Sequence, residues 1–441
     1  MEEGLISVDK WTTVSQVYFL THLHSDHTQG LTPKWSKGPL YCSPITARLF
    51  PVRFPGFDML LVRVLEAGKP QTLTLVSRSS HSKVLVEVTA IDARHCPGAL
   101  MYLFRGQFGS VLYTGDFRWE IGDMKAVEGK NILLNALGDK KLDLLYMDNT
   151  YCNPSFSFPP RKVAAQQVVD IMTSHPHHDF VIGVDNLGKE DLLLHISQML
   201  NTKIWVWPER LRVMHLLGFE DAFTTKTCLT RVRAVPRYSL TFETIESLNT
   251  VRPTIAILPT GLPWGKKFLD QKSLSYSCVS LCKEGSDIFA ETGHSSEIFK
   301  SPRKLHQHMF AVSYSEHSCF KEIEEFLKYV NPSRISGIVS SAFCCINPRH
   351  YLDHLCKDES DNLCCKDSRG KLGLSVAWKA ESVLECDKAF GIDKQINISG
   401  LLKGCKLRAD SPKVLGVQRS MISKIRRRVR GVKIDHNDNF Y

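Results

Sequence analysis

The sequence predicts an α/β protein made of two unlike units, and two patterns carry the prediction. In the first third, short apolar runs rich in β-branched and aromatic residues each lead into a polar, chemically loaded segment. From about Pro159 onward, helix-like and strand-like stretches alternate, the rhythm of a second α/β unit. A length of 441 residues suits two packed units with a tail, and a hydrophobic content of 43% is enough to bury a real core.

Taken in order, the strand-like runs are Val17 to Leu20, Val84 to Ile91, Ala99 to Phe104, Val111 to Tyr113 and Leu142 to Met147. VYFL leads into THLHSDHTQG (21–30), VLVEVTAI into DARHCPG, VLY into TGDFR, and LDLLYM into DNTYCNP. Rigid strands hold short loops in place, so strand ends are where β-rich folds put their chemistry. Next, Arg161 to Ser174 reads as an amphipathic helix, with Val163, Gln167, Val168 and Ile171 near one face. FVIGV (180–184), a helix from about Leu187 to Leu200, the strand KIWVW, a helix from about Pro208 to Leu217 and the strand TIAILP (254–259) follow. The segment 261–304 shows no periodicity and is expected to be a long, partly disordered surface loop. MFAVSYS (309–315) then gives a strand, CFKEIEEFLKYV a helix with Phe320, Ile323, Phe326, Leu327 and Val330 on one face, and ISGIVS a strand.

Composition narrows the class. The start, MEEGLISVDK, is acidic and has no apolar core of a signal peptide, and no run reaches the roughly 18 apolar residues of a membrane helix. A soluble, intracellular protein without membrane partners is expected. The 14 cysteines are scattered and include the adjacent pairs Cys344-Cys345 and Cys364-Cys365, so ordinary reduced thiols are expected. Cys278 and Cys282 have loose ligand spacing but lack a second pair. Net charge is +10, of which Leu401 to Tyr441 supplies 11 Lys+Arg against 3 Asp, that is +8. The basic character therefore belongs to a tail, not to the whole folded surface. Within it, ISKIRRRVRGVKI sets Ile422, Ile425, Val429 and Val432 at helical spacing beside a basic face, which reads as a nuclear import signal or a contact to DNA backbone.

Three histidines and an aspartate within six positions, His22, His24, Asp26 and His27, point to a metal. His22 and His24 can converge on one ion from a loop, with Asp26 and His27 turned toward a second. His95 in ARHCPGA and Asp116 in YTGDFR sit in similar strand-end settings, each flanked by a glycine that permits a close turn.

The ordered set THLHSDHTQG, ARHCPGA, LYTGDFR and MDNTYCNP, with LYCSPITARL at 40–49, resembles the DNA cross-link repair nucleases. These form a branch of the β-CASP group of metallo-β-lactamase-fold enzymes that includes the Apollo and Artemis types, the wording here being nearest to the Apollo type. The resemblance covers about residues 1–345. It implies an αββα four-layer sandwich with an inserted α/β β-CASP domain. Residues 1–155 would form the first part of the lactamase domain, 156–308 the insertion, 309–345 the return, and 346–441 a basic, flexible tail.

Carried onto this sequence, the resemblance gives a first metal to His22, His24, His95 and Asp116, and a second to Asp26, His27, bridging Asp116 and His317. Asp9 in ISVDKW would orient ligands without binding metal, and Asp148 would close the site. Asp26, His27, Asp116, Asp148 and His317 would carry catalysis. Lys189 in DNLGKE is a candidate phosphate clamp, against the plainer reading of a solvated lysine at a helix start; relatives usually have SLGKE, so Asn186 departs from the pattern. Ser318 could donate to phosphate, and Cys319 stands where many relatives have a second serine. Val339 stands where RNA-processing relatives carry a histidine, which favours DNA.

Two adjacent divalent ions, zinc suiting the ligands best with iron or manganese as the other candidates, would activate a bridging hydroxide for in-line attack on a phosphodiester. The family implies a 5′-to-3′ exonuclease acting on 5′-phosphorylated DNA ends, single-stranded or duplex. It would serve interstrand cross-link and double-strand break repair in the nucleus, as a monomer that binds damaged DNA. Three other readings are a β-CASP RNA endonuclease, a small-molecule metallohydrolase of β-lactamase or thioesterase type, and a catalytically dead DNA-end scaffold.

Overall fold

The first sheet gathers β1 (Ile6–Val8), β2 (Val17–Phe19), β3 (Leu40–Cys42) and β4 (Val62–Val64), parallel to one another in chain order. The second takes β5 (Gln71–Val76), β6 (Lys83–Asp92), β7 (Leu100–Gly106), β8 (Gly109–Tyr113) and β9 (Leu142–Met147), antiparallel as far as β8, with β9 parallel to it. The structure, a computed structural model, describes residues 5–12, 14–138, 141–261, 301–339, 347–356 and 432–433. All of these belong to one of the chain's two units, Met1–Asp358 with Ser420–Tyr441.

The two sheets pack face to face. Ile6, Val8, Val17, Phe19 and Tyr41 of the first meet Val86, Val88, Tyr102, Phe104, Val111 and Tyr113 of the second in one buried cluster. The alternating pattern of VLVEVTAI provides for this, because successive side chains of a strand point to opposite faces. Helix α1 (Pro44–Arg53) covers the outer face of the first sheet through Leu49 and Phe50; Ser43 caps it by accepting from the Thr46 amide at 3.0 Å. Helix α2 (Met124–Leu137) covers the outer face of the second, burying Leu133 and Leu137. The result is the αββα sandwich.

The chain then builds α3 (Arg161–Thr173), β10 (Asp179–Val184), α4 (Glu190–Met199), β11 (Ile204–Trp205), α5 (Pro208–Leu216), β12 (Phe223–Thr224), β13 (Val232–Pro236), α6 (Phe242–Asn249), β14 (Thr254–Thr260), β15 (Arg303–His306) and β16 (Met309–Ser313). Its seven strands form a third sheet, ordered β12-β11-β13-β10-β14-β16-β15, parallel except for β15. β10 and β14 read as continuous apolar runs because they lie in the middle of a sheet with helices against it.

Several expectations shift here. Met309–Ser313, placed by sequence at the head of the returning segment 309–345, pairs with β14 in the third sheet, Ala256 opposite Met309 and Thr260 opposite Ser313. The return to the second sheet therefore comes after Ser313, through α7 (Phe320–Val330) and β17 (Pro332–Gly337), which runs parallel beside β9. The helix expected from Leu187 starts at Glu190, because Lys189 is left-handed at φ 63°. α7 buries Ile323, Phe326, Leu327 and Val330 against the second sheet, an upper estimate of about 6–12 kcal/mol at roughly 1.5–3 kcal/mol per side chain.

The tail is not uniformly detached. A short helix, α8 (Arg349–Leu352), seats Leu352 fully buried beside α7. Val432–Lys433, where helical spacing was expected, forms strand β18 antiparallel to β1, Val8 opposite Val432. An open sheet edge presents unpaired backbone groups, which outweigh a weak helical pattern. The segment 262–300 and the rest of the basic run lie outside the described residues.

Candidate metal centre

Each chemically loaded residue follows a strand of the two-sheet sandwich or borders its returning helix. β1 ends at Asp9, held left-handed at φ 49°, and β2 ends one residue before the Leu20–Thr21 step into His22. Thr21 fastens the two together: its amide donates to Asp9 Oδ1 at 2.9 Å and its hydroxyl to Asp9 Oδ2 at 2.6 Å. The HLHSDH turn is folded by Thr28, whose amide and hydroxyl both reach the His24 carbonyl, and by Trp11, whose indole donates to the His27 carbonyl at 2.7 Å. Gly115 (φ 54°) lets the Asp116 loop lie against Thr21: a Cβ there would fall 2.8 Å from the Thr21 side chain.

These loops bring nitrogen and oxygen donors into one buried place. His24 Nδ1 lies 2.9 Å from His22 Nε2 and 3.1 Å from His95 Nε2. Asp116 Oδ2 lies 3.9 Å from His22 Nε2, 3.6 Å from His95 Nε2 and 3.8 Å from His317 Nδ1, while Asp116 Oδ1 faces His27 Nε2 at 3.4 Å. Three overlapping donor groups result: His22, His24, His95 and Cys96; His22, His27 and Asp116; and His95, Asp116 and His317.

The other ring nitrogen of His22, His24, His27 and His95 is spoken for, and in His317 the nitrogen facing Asp116 is itself held by Asp148. His27 Nδ1 meets Asp9 Oδ2 at 2.7 Å and His317 Nδ1 meets Asp148 Oδ2 at 2.6 Å. His95 Nδ1 donates to the Glu316 carbonyl at 2.8 Å, His24 Nε2 to the Leu187 carbonyl at 2.9 Å, and His22 Nδ1 faces the Thr21 hydroxyl at 3.0 Å. Such partners fix tautomer and ring direction, as they do around bound metals.

Electrostatics divide the set. Burial, with the neighbouring imidazoles, pushes the pKa values of His22 and His95 well below the ordinary one, so both offer neutral lone pairs. His27 is as deeply buried, yet Asp116 and Asp9 on either side raise its pKa well above the ordinary value. Its Nε2 is buried without a hydrogen bond, turned on a carboxylate. Neutral imidazoles, a shared carboxylate and an orphaned ring nitrogen in one largely buried pocket are a donor set that fits divalent cations.

Not every residue singled out in the sequence joins this set. Asp26 is half-buried and falls in none of the three groups. Ser318 is buried; its hydroxyl accepts the Trp119 amide at 2.8 Å and donates to the Phe117 carbonyl at 3.2 Å, so it joins the Asp116 and His317 loops. Lys189 is buried, not solvated: Nζ sits 2.8 Å from Asp185 Oδ2 and 3.2 Å from Glu316 Oε2. Val339 is buried in the two-sheet core, with its amide and carbonyl both bonded to the Asn149 side chain, at 2.8 and 3.2 Å.

Residues the sequence reading passed over also shape the site. Buried Arg118 donates to the Ser315 carbonyl at 3.0 Å and the Pro159 carbonyl at 3.3 Å, and pairs with Glu322 at 3.0 Å. Its place after TGDF was the only available signal. Glu316 and Thr21 act through neighbours a histidine search does not register. Among the described residues no helix is long and apolar enough to cross a membrane.

The chain is similar to proteins named for DNA repair and for 5′-exonuclease action. Residues 219–342 match the family model described as DNA repair metallo-beta-lactamase. The chain is 36% identical over 355 residues to "5' exonuclease Apollo" of Gallus gallus, covering 79% of this chain and 65% of that one. It is 34% identical over 340 residues to the protein of the same name in Danio rerio, covering 76% and 51%. It is 30% identical over 337 residues to "DNA cross-link repair protein SNM1" of Arabidopsis thaliana, covering 74% and 61%. The chain thus spans about half to two thirds of the length of these relatives.

Proposed function

We propose that the chain belongs to the metallo-β-lactamase-type DNA cross-link repair family, which its similarity to those proteins supports, and that it is a metal-dependent 5′-to-3′ DNA exonuclease. Its substrate would be 5′-phosphorylated DNA ends, and its setting interstrand cross-link and double-strand break repair in the nucleus. The observation that carries the reading is the sharing of His22, His95 and Asp116 among three donor groups, which suits two neighbouring divalent cations, zinc first. His22, His24, His95 and Asp116 would hold one, and Asp26, His27, Asp116 again and His317 the other. Residues 1–155 and the stretch after Ser313 would form the lactamase part, with the third sheet as the inserted domain.

Two divalent cations would supply water activation, charge neutralisation on phosphate oxygens and stabilisation of the leaving oxygen. The chain's own residues do the rest. Asp9 holds the His27 ring by its Nδ1 proton, so Nε2 stays turned toward Asp116. Asp148 holds His317 by Nδ1, the same nitrogen that faces Asp116, and so orients its ring beside the shared carboxylate. Apolar Val339, sealed in the core, leaves no imidazole at the position that favours RNA cleavage in relatives.

One assay tests this. Purified chain is given 5′-phosphorylated single-stranded DNA, the matched RNA and a thioester, with metal content measured alongside. Stepwise release of mononucleotides from the DNA 5′ end is expected. Faster cleavage of the RNA, or turnover of the thioester alone, would overturn the assignment.

A further inference from the structure

Lys189 lies in the turn that joins β10 to α4, and every polar atom it offers is engaged. Its Nζ bonds Asp185 Oδ2 at 2.8 Å and Glu316 Oε2 at 3.2 Å, and its backbone amide donates to Glu316 Oε1. The Glu316 carboxylate lies flat on Gly188, where a Cβ would fall 2.5 Å from Oε1. Lys189 itself is left-handed, a conformation that costs a non-glycine residue free energy and persists only when surrounding contacts hold it.

The two ends of this arrangement are on metal-site histidines. Glu316 offers its backbone carbonyl to His95 Nδ1, and Leu187, two residues before Lys189, offers its carbonyl to His24 Nε2. His24 and His95 are neighbours in the same donor group. One linked assembly from two distant parts of the chain therefore orients both rings.

We infer that Lys189 and Glu316 form a clamp that positions His24 and His95 for the metal, and that Lys189 is a positioning residue, not a phosphate ligand. Burial opposes the lysine's charge, and the two carboxylates more than offset that, which keeps the ammonium in place as a structural cation. The inference rests on the metal-centre reading above.

The test uses the full chain loaded with zinc and follows transfer of the metal to a coloured chelator. Lys189→Met and Glu316→Gln are each expected to lose zinc about 10- to 100-fold faster than the parent, the usual effect of removing an orienting partner. The double variant should be no worse than either, since both break one clamp. The ratio of KM for 5′-phosphorylated to 5′-hydroxyl DNA should be unchanged. Parental zinc retention in folded variants, or a rise in KM confined to phosphorylated ends, overturns the clamp. Should Lys189→Met fail to fold, Glu316→Gln, which keeps the volume but replaces one of the two accepting oxygens with a donor, decides by the same readouts. A parent chain that binds no zinc would instead defeat the metal-centre reading itself, and the clamp with it.

Discussion

His24 and His95 rest on backbone carbonyls, whereas His27 and His317 rest on carboxylates. A carbonyl fixes a ring's tautomer and favours its charge only weakly; a carboxylate fixes the tautomer and favours the charge strongly. The carbonyl side accordingly includes His95, whose pKa burial lowers, and the carboxylate side includes His27, whose pKa Asp116 and Asp9 raise against burial. His95 presents a ready lone pair. His27 holds a proton until a cation displaces it, so metal uptake there should release protons.

Asp116 belongs to both sides, and removing it is the hardest test of whether they form one centre. Asp116→Ala should lower DNA cleavage by about 10³-fold or more, roughly 4 kcal/mol of transition-state stabilisation. Near-parental turnover would mean that the two sides work separately. Next in size is a pH effect on the carbonyl side. Glu190 is buried beside Gly188 and paired with Arg210 at 3.0 Å, yet burial raises its pKa from 4.5 to about 7, with Arg210 only partly opposing this. A folded pKa above the unfolded one means stability that is fully present below about pH 4.5 and lost as pH rises through about 7. That change amounts to about 3 kcal/mol. Glu190→Gln should not show it, so denaturation of parent and variant at several pH values should diverge across that window; parallel curves would refute the assignment.

On the carboxylate side, Asp9→Asn and Asp148→Asn keep shape and remove charge. Each should weaken metal binding or turnover by about 10- to 100-fold. If the two sides differ as described, the proton release that accompanies metal uptake should also fall in Asp9→Asn, which calorimetry in buffers of different ionisation heat would detect.

How much of this could be read from the sequence differs between strands, loops and partners. The strands β6, β7, β8 and β9 were legible because alternating or continuous apolar runs are dictated by a two-faced core. The short parallel strands β1, β3 and β4 were not, since three residues carry no period. His22, His24, His27, His95, Asp116 and His317 stood out as residue types after strand ends, and the structure brings them together. Lys189 and Ser318 were harder to read for a shared reason: a polar side chain beside a site invites a ligand, while a partner it has in the fold, Glu316 for one and the Trp119 amide for the other, lies more than a hundred residues away. Register in the third sheet was equally hidden, because nothing in MFAVSYS says whether its neighbour is β14 or β9.

The smallest predicted effect concerns Thr21, which links the Asp9 carboxylate behind His27 to the ring of His22. The Thr21 hydroxyl donates to Asp9 Oδ2, and that leaves its lone pairs to receive the His22 Nδ1 proton at 3.0 Å. Its methyl packs where Gly115 lets the Asp116 loop approach. Thr21→Val retains that shape but cuts the hydrogen-bonded link between the carboxylate carrying His27 and the neutral ring of His22. A loss of about tenfold in metal affinity is expected, at the lower end for an orienting partner, because the Thr21 amide still holds Asp9 Oδ1. Thr21→Ser keeps the hydroxyl and should restore most of the affinity. If valine and serine behave alike in a metal titration, the hydroxyl link does not couple the halves, and packing against Gly115 alone accounts for the threonine.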